Sequence, residues 1–136
     1  MSQIVIPPDA ESLIELGLQL RLDQLWDKPV HVGLSVPNPR PSEFVVVMRA
    51  GGVMRNKVTD EPTIIVEAWS DRGSRAWQLA NLCRGIMHWF TEINGHAVYD
   101  VSEFAGPGNL PDPLTGQSRY TATYSVPIRC ETVITI

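Results

Sequence analysis

Cysteine is scarce, histidine is scattered and no apolar stretch is long, and each shortage removes a class of protein. Cys83 and Cys130 lack CxxC spacing and lie among apolar neighbours. They read as small core residues of a reduced compartment, not as a disulfide framework or a metal clasp. His31, His88 and His96 are isolated, with no HxH or HExxH spacing, so no metal or other cofactor is expected. There is no GxSxG elbow and no phosphate-cradling loop, because Gly106-Pro107-Gly108 leads into a proline-rich turn and no helix. Asp100, Glu103 and Asp112 are candidates for a carboxylate pair only if folding brings them together, so no enzymatic activity is expected. No segment approaches the roughly 18 apolar residues that span a bilayer. The opening MSQIVIPPD also lacks the basic and long apolar parts of a signal peptide, so an intracellular protein with no membrane contact is expected. Basic residues are in deficit too: 11 against 15 acidic ones give a net charge of -4, with the signs interspersed. That argues against a broad basic face for nucleic acid.

What is present fits a single domain of 136 residues, long enough to bury one core. The organising stretch is Asp60 to Ile93. Within PTIIVEAWS, Ile64, Val66 and Ala68 alternate with Ile65, Glu67 and Trp69, a strand pattern. From Ala76 onwards Leu79, Ala80, Leu82, Cys83, Ile86, Met87, Trp89, Phe90 and Ile93 recur at helical spacing, with Gln78, Asn81, Arg84, His88 and Glu92 opposite. Ser70 or Asp71 is the expected N-cap of this helix and Asn94-Gly95 its stop.

Upstream, Asp9 caps a first helix that buries Ile14, Leu18, Leu22, Leu25 and Trp26. Pro29 ends it, and Val30 to Leu34 reads as a short strand. The three prolines of VPNPRPS make a stiff connector. Glu43 to Ala50 is then a strand, paired as a hairpin with Pro62 to Trp69 across a ten-residue tip, GGVMRNKVTD. Arg49, Arg55 and Lys57 give that tip a small basic point. Downstream, His96 to Phe104 reads as a strand, and Ala105 to Ser118 as a long loop of a kind that is commonly functional. A last strand runs from Arg119 to Cys130, and the β-branched tail ETVITI is suited to an edge strand here or on a neighbour.

The expected fold is α+β: a mostly antiparallel sheet of about five strands with two helices packed on one face, in the order α-β-β-β-α-β-β. With both helices on one face, Val45, Val47, Ile65 and Trp69 are expected on the other, as an apolar surface that needs a partner. In the long loop Leu110 is a further apolar contact, and Asp112 is expected to meet an arginine of the next subunit, with Arg119 and Arg129 the candidates.

The segments VPNPRPSEFVVVMRAGG (Val36 to Gly52), VTDEPTIIVEAWS (Val58 to Ser70), AWQLANLCRGI and GPGNLPDPLTGQSRYTATYSVPIR (Gly106 to Arg129) resemble a group of small proteins encoded among the virion genes of long-tailed actinobacterial phages. The resemblance is to tail terminators of the lambda type and covers about 100 residues, from the first of those segments to the last. It implies a structural virion protein of the phage neck, a homo-oligomeric ring, hexameric in the family. Such a ring caps the tail tube, ends its growth and joins it to the head-side connector or stopper protein, with DNA passing through its channel. Other neck or tail-completion proteins are the alternative within that class; a small enzyme and a ligand-binding module are the alternatives outside it.

Overall fold

The computed structural model describes residues 2–136. In chain order they form β1 (Gln3–Ile6), α1 (Ala10–Leu25), β2 (His31–Gly33), β3 (Glu43–Asn56), β4 (Thr59–Ser70), α2 (Gly73–Trp89), β5 (Glu92–Ile93), β6 (His96–Ala97), β7 (Ser102–Asn109), β8 (Ser118–Ser125), β9 (Ile128–Arg129) and β10 (Thr132–Thr135). The fold is α+β. Its main sheet has the order β2-β3-β4-β8-β7, with β9 continuing beside β4 after Pro127 interrupts the last long strand. β2 runs parallel to β3, and the other ladders of this sheet are antiparallel.

Both helices lie on one face, α1 over β2 and β3, and α2 over β4, β8 and β7. Asp9 caps α1 by accepting from the Ser12 amide at 3.2 Å. Its inward stripe is Ala10, Leu13, Ile14, Leu18 and Leu22, while Leu25, expected inside, is exposed at the end of the helix. From α2, Leu79, Cys83, Ile86 and Met87 meet Val45, Val47, Ile64, Val66, Ala68, Ala122 and Tyr124 of the sheet. Each of the larger aliphatic chains so buried stabilises the fold by about 1.5–3 kcal/mol. Cys83 and Cys130 are both buried free thiols, and burial pushes the Cys83 thiol up to about 12.

Four local expectations are corrected. The second helix ends at Trp89, and Asn94-Gly95, both with positive φ (48° and 85°), instead make the tight turn between β5 and β6. Its cap residue is Arg72, without a side-chain bond; Ser70, two positions earlier, accepts from the Arg72 amide. The hairpin has no ten-residue tip. Strand pairing continues to Asn56 and Thr59, past a bulge at Ala50 and Gly51 and a second register shift between Met54 and Asn56. The long loop is shorter as well: β7 occupies its first half and pairs with β8, leaving Leu110 to Gln117 between the strands.

Candidate assembly interface

The helix-free face of the sheet is not the open apolar surface that alternation suggests. Val45 and Val47 are wholly buried beneath α1, opposite Ala68 and Val66. A strand's parity is fixed by its register, and here Phe44, Val46 and Met48 share the outer face with Ile65 and Trp69. The chain covers most of that face itself. Phe44 stacks on Trp69 with ring centroids 5.0 Å apart, and the guanidinium groups of Arg40 and Arg119 each lie 5.1 Å from the tryptophan ring. Phe44, Val46 and Trp69 are consequently buried, while Ile65 and Met48 are partly covered.

Arg40 belongs to the proline-rich connector, and its partner is Asp112. The Asp112 carboxylate accepts from Arg40 at 3.0 Å, from the Thr115 amide at 3.2 Å and from the Thr115 hydroxyl. These bonds, the hydroxyl's first, hold its acid group below the usual range. The expected contact between Asp112 and a neighbour's arginine is thus replaced by one inside the chain. Arg119 anchors the same loop by donating to the Leu110 carbonyl at 2.8 Å. With its polar atoms tied inward, the loop turns Leu110 and Leu114 outward, Leu114 to 89% exposure. Arg129 stands elsewhere, exposed on β9 and 3.9 Å from Glu131.

The basic hairpin tip resolves into ion pairs. Arg49 makes a two-pronged bond to the buried Asp60 at 2.7 and 3.1 Å, and Arg55 donates to Glu61 at 3.1 Å. Arg55 first, then the Ser125 hydroxyl, lowers the Glu61 acid group. Lys57, at the turn, has no ion-pair partner among the described residues. What the hairpin end presents instead is apolar. β8 accompanies β4 as far as Thr63 and β9 takes over at Asp60 and Thr59, so at this end β3 is the outer strand of the hairpin, exposing Val53 (65%) and Met54.

A second ribbon was half legible in the sequence. β1 and β10 pair antiparallel from Gln3–Thr135 to Ile6–Thr132, exposing Ile4, Val133, Ile134 and Ile136. The β-branched tail was a visible signal for one strand, but its partner is 126 or more positions away, beyond the range of any local pattern. Trp89 was likewise placed inside by periodicity; it is 58% exposed beside a shallow 440 Å³ groove between the helices, under the Arg21 guanidinium at 4.6 Å.

Two polar clusters, a buried one around Glu43 and a partly exposed one around Glu103, hold these surfaces in place. Glu43 accepts from Arg75, Ser70 and Trp26, and Arg75 also grips Asp27, locking the start of α2 to the end of α1. Arg75, ahead of the other donors, holds the Glu43 acid group down to about 2. On the far side Glu103 accepts from Arg84 at 2.8 Å and sits 2.9 Å from the His88 ring, pinning α2 to β7; Arg84 and then His88 hold it near about 2. Among the described residues no group of three or more His, Cys, Asp or Glu is placed to hold a metal ion, and no helix is long and apolar enough to cross a membrane. Comparison with known proteins gives no matching family model and no matching curated protein.

Proposed function

We propose that this protein is a structural component of a long-tailed phage virion, of the tail-terminator kind: a closed ring of identical copies that caps the tail tube and meets the head-side connector. The observation that carries the reading is where the exposed apolar side chains lie. Half of the large exposed ones lie on the far end of the β3–β4 hairpin, the Leu110 to Gln117 loop and the β1–β10 ribbon, and a single copy leaves them uncovered. Soluble monomers rarely leave such residues on projecting strands, whereas ring subunits clasp their neighbours with them. The motif resemblance supplies the kind of ring, and the self-covered, proline-stiffened loops suit repeated rigid contacts.

In this reading Leu110, Val53 and Met54 contact neighbours, and Lys57 is the hairpin's free cation toward an acidic ring or the DNA in the channel. A tail terminator binds the end of a tail tube; another neck ring binds the connector instead. Native mass of the purified protein, alone and mixed with tail tubes or with connectors, tests the reading. A closed oligomer that binds tube ends is expected. A protein that stays monomeric at high concentration and in the presence of both partners would sink it.

A further inference from the structure

The edges of the β1–β10 ribbon are unguarded, and this sets them apart from the other strand edges of the described residues. Ser2 and Ile136 exchange backbone hydrogen bonds in both directions, at 3.2 and 2.9 Å. Alternation then makes Ile4–Ile134 and Ile6–Thr132 the bonded pairs and turns the N–H and C=O groups of Gln3, Val5, Val133 and Thr135 outward. No residue from Ser2 to Ile6 or from Thr132 to Ile136 is charged, none is proline, and the register has no shift. Neither strand packs appreciably on the body. An isolated two-stranded ribbon of this length is marginal in water, and an uncharged open edge is a template for pairing.

The body's edges are treated differently. β7 carries Pro107 and two register shifts, and β2 has three residues. Where β3 runs past β2, the Arg49 amide is taken by the Glu11 carboxylate at 2.7 Å, and the hairpin end beyond it is broken by the bulge at Ala50 and Gly51 and carries Arg55 and Lys57. These are the devices by which proteins blunt edges.

We propose that the ribbon is completed by a second copy of this chain, with β10 of one copy laid antiparallel beside β1 of the next. This rests on the ring reading above. The ribbon offers two free edges of equal length and like chemistry, one on each strand. A head-to-tail contact satisfies both with one repeated interface, and it closes into a ring when the rotation permits. Under cyclic symmetry the neighbour's β1 runs in nearly the same sense as this copy's β1, hence antiparallel to β10, which is the pairing the ribbon already uses.

The test uses the full chain with Val133→Pro and Thr135→Pro. Proline there deletes the two outward amides of β10 and leaves the inward ladder intact. In the wild-type assembly the outward amides of Gln3, Val5, Val133 and Thr135 should exchange about tenfold more slowly than in the dissociated chain. The double variant should keep the body's thermal unfolding and associate about a hundredfold more weakly. Should the prolines disturb folding, Val133→Lys with Thr135→Lys keeps the backbone and carries the same expectation through charge. An oligomer of unchanged mass whose outward ribbon amides exchange freely would overturn the ribbon contact and leave the ring reading standing. A wild-type chain that never assembles would overturn both, through the ring reading.

Discussion

Arg40 and Asp112, 72 positions apart, meet at 3.0 Å and tie the proline-rich connector to the β7–β8 loop across the Trp69 ring. The contact joins two segments that otherwise read as separate surface loops. Arg40→Ala removes the donor and the cation on the tryptophan face together. Amide exchange at Leu114 and Thr115 is expected to rise about tenfold while exchange in α2 stays unchanged. Arg40→Lys keeps the charge but loses the planar fork, and should recover only part of the protection.

Trp69 is the keystone of the helix-free face, buried between Phe44 and two guanidinium groups. Trp69→Ala should cost about 3–5 kcal/mol, read as a lower urea midpoint with little change in slope. Ile65→Ala on the same face is partly exposed and should cost clearly less.

Gly51 and Gly52 look interchangeable in sequence and are not so in space. Both have positive φ, 88° and 118°. A Cβ on Gly51 meets open space, whereas one on Gly52 strikes the Glu61 carbonyl and comes within 2.7 Å of the Pro62 Cα. Gly51→Ala should cost about 1 kcal/mol of backbone strain. Gly52→Ala should cost more and shift amide signals along both strands of the hairpin, because backbone atoms have to move.

Glu43 and Glu103 have acid groups held to about 2 in the folded chain, against an ordinary value of 4.5. Their contribution is complete above 4.5 and is lost as pH falls through the folded value, because the unfolded chain takes up the protons first. Thermal stability should therefore decline between about pH 4.5 and pH 2. Glu43→Gln should lower stability at neutral pH by about 2 kcal/mol, since Arg75 then loses its charged acceptor. It should also flatten the acid decline.

Val53, Met54, Leu110 and Leu114 are exposed, so replacing them with serine should change unfolding free energy by no more than about 0.5 kcal/mol. If they lie between ring subunits, the same changes should weaken association markedly in sedimentation. Unchanged association would return them to the solvent.

The helices, strands and core were legible because their signals are local. Ile14, Leu18 and Leu22 repeat at helical spacing, Ile64, Val66 and Ala68 at strand spacing, and Asp9 announces the first turn; each pattern depends on a few neighbouring residues. Sequence also identified Trp69, Leu110 and Arg119 as worth following, though not what they touch.

Register and long-range pairing were decided only in three dimensions. A run such as Phe44-Val45-Val46-Val47 is apolar on both faces, so alternation cannot say which side is inside; pairing Val45 with Ala68 does. Arg49 and Arg55 looked like free charges, and Asp112 like a partner for a neighbouring subunit's arginine, because Asp60, Glu61 and Arg40 come to them through a bulged hairpin and a loop crossing. The joining of Gln3–Ile6 to Thr132–Thr135 depends on the whole intervening chain bringing its two ends together. Local chemistry therefore chose the elements, and tertiary packing chose which charges were spent inside the molecule and which apolar strands were left at its surface.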